Sequence, residues 1–334
     1  METEGSARRL RTSVALCTHN GERFVAEQVR SILGQSEAPI EIVVSDDAST
    51  DATVEVIRAT VSEHAGGPVE LRVLENAVPL GVTKNFEQAM LACTGDLIAL
   101  SDQDDRWAPN RLEAAVTRFA ENPDLSLLHG DARLVDERGG ATGPTLFGAL
   151  GVSAWERERI RSGHAMDVFL RRNLVTGATT VVRKSLLENA ALFPQGWVHD
   201  EWLGVIAAAT GRVDFVDDSL VDYRQHGGNQ IGATKLNLAG KFGRLREPRT
   251  RRNERLAANA ATLVERLERL GNRVPADILH AAKGKLEHER VRLALPAGRI
   301  ARIRPVLREA SSGGYRRFGL GLQDVLRDLV QPAD

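Results

Sequence analysis

Three aspartates, Asp102, Asp104 and Asp105, follow the apolar run Leu97–Leu100, which is typical of a buried strand. Carboxylates this close repel one another, and a cation relieves that repulsion. Such oxygen-rich sites suit Mg²⁺ or Mn²⁺, which take one or two carboxylates together with the phosphate oxygens of a nucleotide. For Asp105 alone, a helix N-terminus is the better interpretation. That interpretation does not account for Asp102 and Asp104, whose spacing in extended chain points both side chains the same way.

Polar residues also follow the first two predicted strands. Asp46 and Asp47 come after the β-branched run Ile40–Ser45, where carboxylates could bind the edge of a base or the hydroxyls of a ribose. The hydroxyl residues after them are explained as a turn and a helix cap, so Asp46, and with less weight Asp47, carries the functional interpretation. Thr18–Gly21 is a turn signal first and a ligand loop second.

A second set of candidates lies later in the chain. Asp200 and Glu201 open a predicted helix, where partly desolvated carboxylates could act as a general base. Stabilisation of the helix start by acidic side chains explains them equally well. His226 directly follows a predicted strand. A lone histidine usually lies at the surface, but beside a metal site its neutral imidazole suits Mn²⁺-like ions.

Alternating strands and helices must position these residues. Over roughly the first 130 residues they indicate an α/β fold, with a mostly parallel nucleotide-binding sheet flanked by helices. Ligands of such sheets bind beyond the carboxyl ends of the strands, where the polar clusters fall. The predicted strands are Ser13–Cys17, Ile40–Ser45, Val69–Leu74, Leu97–Leu100 and Leu125–His129. The predicted helices are Gly21–Leu33, Asp51–Glu63, Thr83–Cys93 and Asn110–Ala120.

The remainder of the chain changes character twice. From Asp131 to Gly163 the pattern loosens, and we expect a mobile or partner-facing segment there. After it come a predicted buried strand, a helix and two strands, namely Asn173–Arg183, Asp200–Thr210, Val213–Val216 and Ser219–Arg224. Beyond these, leucines at heptad-like spacing predict a helical C-terminal subdomain. We therefore predict a catalytic domain over residues 1–232 and a helical subdomain over residues 233–334.

The bulk composition excludes several classes of protein. A formal net charge of −1 gives no whole-molecule attraction to nucleic acid, so no nucleic-acid partner is predicted. No stretch approaches the ~20 consecutive apolar residues of a membrane span, and no apolar h-region follows the polar segment Met1–Thr12. We expect neither a spanning helix nor a secretory signal. Cys17 and Cys93 lack metal-ligand spacing and are interpreted as core residues of a cytoplasmic protein.

The basic run Lys241–Arg252 has two interpretations. A solvated helix face is the commoner explanation and is slightly favoured. The other is peripheral contact with the anionic inner face of the membrane, where lipid-linked acceptors are found and each basic residue contributes about 1 kcal/mol. The expected location is the cytoplasm, with membrane contact through residues 241–252 as the second interpretation.

Several segments match one known family in their order along the chain. They are Ala15–Glu22, Val43–Asp51, Lys84–Glu87, Leu100–Trp107, Thr176–Gly177, His199–Asp200 and Tyr223–His226. Together they resemble the family 2 inverting glycosyltransferases of the A-type fold, and within that family the rhamnosyltransferase-like subgroup. The resemblance covers roughly residues 12–232, and the C-terminal hundred residues share no motif with the family.

The resemblance implies a role for each matched residue. The side chains implied to face the base and ribose of a sugar nucleotide are those of Thr18, Asn20, Glu22 and Asp46. Lys84 is implied to lie near the donor. The implied metal ligands are Asp102 and Asp104, as an Asp-x-Asp element that also contacts the donor, together with His226. Asp200 is implied to be the catalytic base.

Two departures from the family pattern affect this assignment. Many relatives carry tryptophan where this chain has Glu201, so Glu201 is a rival of Asp200 as the base. The Asn-Leu-Gly turn common before the Lys84 helix is replaced by Asn76–Gly81, which alters a loop near the sugar pocket.

The implied reaction transfers a sugar, with rhamnose as one candidate, from a nucleoside-diphosphate sugar to a hydroxyl of a glycan or lipid-linked acceptor. The resemblance implies inversion and a divalent metal, Mg²⁺ or Mn²⁺. Two alternatives stay open. A sugar-phosphate nucleotidyltransferase would need a glycine-rich phosphate loop, and Thr18–Glu22 is not one. A non-catalytic sugar-nucleotide- or carbohydrate-binding protein has no need of Asp102, Asp104, Asp200 and His226 together.

Overall fold

The computed structural model describes residues 9–67, 69–226 and 248–333. The chain divides into two compact units, each assembled from separate stretches. The first unit comprises Met1–Gly148, Val175–Phe193 and Asp214–Gln230. The second unit comprises Ala149–Leu174, Pro194–Val213 and Ile231–Asp334. Two stretches before residue 232 therefore group with the C-terminal helices, and the division into domains at residues 232 and 233 stays a prediction.

The strands of the described residues belong to two sheets and are numbered in chain order. They are β1 (Thr12–Thr18), β2 (Glu41–Asp46), β3 (Glu70–Glu75), β4 (Leu97–Asp102), β5 (Arg106–Trp107), β6 (Leu125–Gly130), β7 (Arg133–Val135), β8 (Val181–Arg183), β9 (Arg212–Val216) and β10 (Val221–Arg224). The larger sheet has seven strands in the order β3-β2-β1-β4-β8-β6-β9, and the smaller has the order β5-β10-β7. The strands β3, β2, β1 and β4 run parallel, which confirms the predicted mostly parallel sheet.

The helices are also numbered in chain order. They are α1 (Val25–Leu33), α2 (Thr53–Ser62), α3 (Val82–Ala92), α4 (Arg111–Glu121), α5 (Leu146–Leu150), α6 (Ala154–Arg161), α7 (Ala165–Phe169), α8 (Leu187–Ala190), α9 (His199–Thr210), α10 (Arg249–Leu270), α11 (Ala276–Leu293), α12 (Arg299–Ser311), α13 (Gly314–Phe318) and α14 (Leu322–Val330). Each helix from α1 to α4 buries residues at helical spacing, as Val25, Val29 and Ile32 do in α1. The strands β1 and β2 are buried along their whole length, so helices must cover both faces of the sheet.

The middle of the large sheet differs from the prediction. The stretch Asn173–Arg183 was predicted to be one long buried strand, but only Val181–Arg183 pairs. Gly177–Thr179 forms a 3₁₀ turn instead, because the hydroxyls of Thr179 and Thr180 both donate to the carbonyl of Thr176. The short strand β8 is antiparallel to both of its neighbours, β4 and β6.

The segment Asp131–Gly163 is more regular than predicted, because β7, α5 and α6 lie within it. A capping box begins α6. The Ser153 hydroxyl accepts from the Glu156 N–H at 3.3 Å, and the Glu156 carboxylate accepts from the Ser153 N–H at 2.8 Å. The Ser-x-x-Glu signature of that cap was present in the sequence and was missed.

The second unit is mostly helical, and α10–α14 confirm the predicted helical C-terminal region. Buried charged side chains join these helices. Arg292 donates to Asp328 at 2.7 Å and to Glu289 at 3.1 Å, and all three residues are buried. Since each of these charges has a partner of opposite sign, their burial is tolerated.

Residues 241–247 of the predicted basic run lie outside the described residues. In the part that is described, Arg249 is buried and donates to the carbonyl of Leu295 at 2.6 Å, while Arg252 donates to Asp324 at 3.0 Å. These two arginines therefore do not form the solvated face that was favoured from the sequence. Within residues 9–67, 69–226 and 248–333, no helix combines the length and apolarity needed to cross a bilayer.

Candidate active site

Thr18 and Asp46 lie side by side at the carboxyl ends of two neighbouring parallel strands, β1 and β2. The Thr18 hydroxyl donates to Asp46 Oδ1 at 2.6 Å. The hydroxyl of Ser49 donates to the same oxygen at 2.6 Å, and the Ser49 N–H donates to Oδ2 at 2.8 Å. Three donors thus fix one buried carboxylate, and a fourth acceptor position remains on it, since a carboxylate offers about four.

Asn20 and Glu22 connect the loop after β1 to the loop after β2. Asn20 Oδ1 accepts from the Thr50 N–H at 2.8 Å, and Glu22 Oε2 accepts from the Ala52 N–H at 3.1 Å. Asn20 has φ +48°, a left-handed conformation that asparagine tolerates better than most residues. Both side chains are exposed, and their predicted contact with a nucleotide stays a prediction.

Asp47 fixes the loop that departs from the family pattern. Its carboxylate accepts from the Leu80 N–H at 2.5 Å and from the Gly81 N–H at 3.0 Å. Asp47 is itself buried. The sequence interpretation gave Asp47 little weight, because no local pattern links residues more than thirty positions apart.

Lys84 lies in the first turn of α3 and is held by two acceptors. Its Nζ donates to Glu87 Oε2 at 2.6 Å and to the Phe193 carbonyl at 2.7 Å. Glu87 is buried and also accepts from the Phe193 N–H. The Lys84 ammonium is therefore fixed in place, and its side chain stays partly exposed.

The aspartates after β4 lie on a turn. The strand ends at Asp102, and Gln103 and Asp104 form the turn that follows, so the expected extended geometry was wrong. The Gln103 side chain connects this turn to β1: its Nε2 donates to the His19 carbonyl at 3.0 Å, and its Oε1 accepts from the His19 N–H at 2.8 Å. Gln103 was not among the predicted site residues.

Asp104 and His226 are in contact, as a shared metal site requires. Asp104 Oδ2 lies 2.7 Å from His226 Nε2, and both side chains are largely buried. The His226 ring also packs against Phe24, with ring centroids 5.0 Å apart. The structure therefore brings these two residues together, and their role as metal ligands stays a prediction.

Arg224 contacts the residues around this pair, and the sequence analysis did not identify it. Its guanidinium donates to the Asp104 carbonyl at 2.7 Å, to the Glu137 carbonyl at 2.8 Å and to Glu27 Oε2 at 2.7 Å. The guanidinium also lies 4.8 Å from the centroid of the Phe24 ring. A buried arginine two residues before His226 thus holds the aspartate turn and the partner ring of His226 together.

Asp105 does not cap a helix, contrary to the interpretation favoured for it. The helix α4 begins six residues later, after Asn110. Asp105 is instead buried and accepts from the Arg224 N–H at 3.0 Å. Burial raises the pKa of Asp105 well above its usual range, and the nearby charges of Asp104 and Asp102 raise it further.

The donor atoms at this turn are of the types that a divalent cation binds. The carboxylates of Asp102 and Asp104 lie close enough to Asp105 to raise its pKa, and an imidazole nitrogen contacts Asp104. Among the residues that the structure describes, no group of three or more histidine, cysteine, aspartate or glutamate side chains is arranged as a metal site. A cation shared with a nucleotide needs only one or two carboxylates, because phosphate oxygens complete its coordination.

Asp200 and Glu201 belong to the second unit, in the first turn of α9. Asp200 Oδ1 accepts from the Glu201 N–H at 2.6 Å and from Asn173 Nδ2 at 3.3 Å. Burial raises the pKa of Glu201, against the opposing attraction of Arg255 and Lys285. A carboxyl with a raised pKa is the better proton acceptor near neutral pH, so the structure keeps Glu201 as a rival base.

Comparisons with known proteins give one family match and several relatives. The family model described as glycosyl transferase family 2 matches residues 13–188. An uncharacterized protein of Mycobacterium tuberculosis, Rv1520, is 26% identical over 219 residues, which is 64% of this chain and 58% of that protein. The chain thus aligns with less than two thirds of that relative. The dTDP-rhamnosyl transferase RfbG of Shigella flexneri is 26% identical over 243 residues, covering 69% of this chain and 78% of that protein.

Solved structures share the fold. The mannosyltransferase PcManGT from Pyrobaculum calidifontis, in complex with GDP-Man and Mn²⁺, has a TM-score of 0.53 and 20% identity over 92% of this chain and 76% of its own. S. aureus TarS 1-349, in complex with UDP-GlcNAc, has a TM-score of 0.56 and 17% identity over 95% of this chain and 90% of its own. At these identities the similarity shows the fold alone.

Proposed function

Because the chain belongs to glycosyl transferase family 2, we propose that it transfers a sugar from a nucleoside-diphosphate sugar to a hydroxyl of a glycan or lipid-linked acceptor. The observation that carries this proposal is the convergence of three strand ends. Thr18, Asp46 and Asp102 end the adjacent parallel strands β1, β2 and β4, which is where such sheets bind nucleotides.

In this proposal the loops after β1 and β2 bind the nucleoside. Three donors already hold the Asp46 carboxylate, so its remaining acceptor position is oriented before any ligand arrives. A ribose hydroxyl or a base N–H that donates to this position gains a hydrogen bond to a charged acceptor, which contributes about 1.5–3 kcal/mol. Thr18, Asn20 and Glu22 line the same loops.

Asp102, Asp104 and His226 would hold a divalent cation, Mg²⁺ or Mn²⁺, at the diphosphate. When bound, the cation supplies Lewis-acid stabilisation of the departing diphosphate. The Mn²⁺ in the mannosyltransferase complex supports this choice of metal. Arg224 positions the Asp104 backbone, and the fixed ammonium of Lys84 is the proposed donor contact on α3.

Asp200 is the proposed general base, with Glu201 as its rival. The carboxylate takes the proton of the acceptor hydroxyl while that oxygen forms a bond to the anomeric carbon. The bond from the anomeric carbon to the diphosphate breaks on the opposite face, and the diphosphate leaves with the electron pair. A single displacement of this kind inverts the anomeric centre and needs no covalent enzyme intermediate.

The donor that we propose first is dTDP-rhamnose, since a dTDP-rhamnosyl transferase is among the relatives. A glucosyltransferase of Escherichia coli that uses UDP-Glc, 26% identical over 198 residues, makes UDP-glucose the next candidate. We further propose that the reaction takes place in the cytoplasm, in keeping with the two buried free thiols of Cys17 and Cys93.

The test is release of nucleoside diphosphate from a panel of dTDP-rhamnose, UDP-glucose, UDP-GlcNAc and GDP-mannose, with Mn²⁺ and simple glycan or polyprenyl-linked acceptors. We expect release from one donor above all others, and a much slower release with Asp200→Asn. Release of pyrophosphate from a nucleoside triphosphate, with formation of a sugar nucleotide from an added sugar 1-phosphate, would indicate a nucleotidyltransferase instead. Tight binding of a sugar nucleotide without release, whichever acceptor is added, would indicate a binding protein.

A further inference from the structure

Two helices of the second unit expose apolar stripes. On α12 the stripe consists of Ile300, Ile303 and Leu307, and Ile300 is 85% exposed. On α14 the stripe consists of Leu322, Leu326 and Val330, and Leu322 is 72% exposed. Residues three or four apart share one face of a helix, so each set forms a continuous apolar line.

These stripes are additional to the faces that stabilise the unit. The helix α12 buries Arg302 and Val306, and Val306 packs in a cluster with Leu295 and Tyr315. Two residues of α14, Val325 and Leu329, pack on the same cluster. Since both helices already have a buried face, their exposed stripes are not needed for the fold.

The exposed charges of the chain segment that carries the stripes are of one sign. From residue 293 to residue 333, every exposed charged side chain is an arginine: Arg299, Arg304, Arg308, Arg316 and Arg317. Helical spacing places Arg299 on one side of the α12 stripe and Arg304 and Arg308 on the other. An apolar stripe between two basic borders is the pattern of a helix that lies in a lipid interface.

The acidic residues of this stretch face inward. Asp324 and Asp328 are buried and accept from Arg252 and Arg292 respectively. Glu309 contacts His288, with Oε1 and Nδ1 2.6 Å apart. Within residues 293–333 the fold therefore turns the carboxylates toward the interior and leaves arginines exposed, so the exposed charge of this segment is positive.

We propose that α12 and α14 bind the surface of an anionic lipid bilayer. The apolar stripes enter the boundary between headgroups and acyl chains, and the arginines pair with the anionic headgroups. An anionic bilayer complements both features of this segment, namely its apolar stripes and its uniformly positive exposed charge. The proposal rests on residues that follow the basic run Lys241–Arg252 in the sequence, and it does not depend on the proposed transfer reaction.

The test is co-sedimentation of the full chain with vesicles of phosphatidylcholine alone and with vesicles that also contain phosphatidylglycerol. We expect binding only to the anionic vesicles, weakened by salt because screening shortens the reach of exposed charges. Simultaneous Arg299→Gln, Arg304→Gln and Arg308→Gln should lower the partition constant about hundredfold, at about 1 kcal/mol for each arginine.

A matched control removes the same charge elsewhere. Arg58, Arg138 and Arg161 are exposed, and their triple glutamine variant should bind anionic vesicles as the unaltered protein does. A second variant, Ile300→Ser with Ile303→Ser and Leu307→Ser, should also lose binding while circular dichroism and the melting temperature confirm that it folds.

Two outcomes would overturn the proposal. The first is no sedimentation of the unaltered protein with anionic vesicles at low salt. The second is a serine variant that still binds vesicles but changes from dimer to monomer by size-exclusion chromatography with light scattering. In that case a second copy of the chain, and not a bilayer, covers the stripe.

Discussion

Replacement of Arg224 by methionine should weaken divalent-dependent nucleotide binding although Arg224 is not itself a proposed ligand. Methionine keeps much of the volume and removes the guanidinium that donates to the carbonyls of Asp104 and Glu137. The Asp104 turn then loses a side-chain donor from β10, and we expect the contact between Asp104 and His226 to loosen.

The magnitude follows from the contacts. Residues that hold metal ligands in position typically contribute 10–100-fold to metal affinity. We therefore expect the variant to need an Mn²⁺ concentration about 10–100-fold higher for the same nucleotide binding. A hydrogen bond from a charged donor contributes about 1.5–3 kcal/mol, and Arg224 makes one to the buried carbonyl of Asp104 and one to the part-buried carbonyl of Glu137. The free energy of unfolding should therefore fall by about 3 kcal/mol. The third bond, to the half-exposed Glu27, adds little.

The assay is calorimetric titration of UDP and dTDP into the protein at several Mn²⁺ concentrations, with urea unfolding measured in parallel. Arg133→Met is the matched control. This replacement removes the same charge from the same small sheet, but the Arg133 side chain is half-exposed and donates to Asp222 at 2.6 and 2.7 Å. A surface pair of this kind contributes about 0–1 kcal/mol, and nucleotide binding should not change.

One result would refute the reasoning: a folded Arg224→Met variant whose nucleotide affinity and Mn²⁺ dependence equal those of the unaltered protein. In that case either Asp104 does not bind the cation or its position does not depend on Arg224. Arg224→Lys separates charge from geometry, since lysine keeps the charge but cannot make the forked contacts.

Asp104→Ala should lose Mg²⁺- or Mn²⁺-dependent donor binding in calorimetry, and unchanged divalent-dependent affinity in a folded variant would contradict the metal assignment. Asp200→Asn should slow transfer ~10²–10⁴-fold with donor affinity nearly unchanged, whereas Glu201→Gln should cost only ~0.3–1 kcal/mol of stability. The reverse pattern would make Glu201 the base, and retention at the anomeric centre, seen by NMR of the product, would contradict direct displacement with either residue. Burial opposes ionisation of Glu156, but Arg172 and Ser153 outweigh it and lower the pKa to about 2 from 4.5. The stability gained from this depressed pKa, up to about 3 kcal/mol, is present above pH 4.5 and lost as the pH falls toward 2. In urea unfolding, the Glu156→Gln variant should therefore show a free energy of unfolding that depends less on pH over that range.

The parts of the fold that follow from periodicity were predictable. The strands from β1 to β4 and the helices from α1 to α4 fall close to their predicted places, because all of them except β3, which is only partly buried, bury apolar residues at regular spacing. Asn173–Arg183 was not predictable in this way. Its threonine hydroxyls bond to a nearby backbone carbonyl, which competes with strand pairing over most of the stretch.

The residues of the candidate site likewise divide into those that the sequence predicts and those that it does not. Thr18, Asp46 and Asp102 were identifiable because they directly end apolar strands. Arg224 and Gln103 were not, since their roles come from contacts with residues 84 to 197 positions away. A buried arginine resembles a surface one in the sequence, and only the packing of β10 against the aspartate turn distinguishes them.

The insertion of β8 between β4 and β6 has a consequence for synthesis. Until residues 181–183 have left the ribosome, the backbone of β4 around Leu97–Ala99 has no partner on that side. A nascent chain of that length therefore carries the four strands β3-β2-β1-β4 and the unpaired strand β6, and the apolar edge at β4 can pair with other chains. Fragments that end before residue 181 should aggregate for this reason, whereas extension through residue 183 supplies the strand that closes the gap.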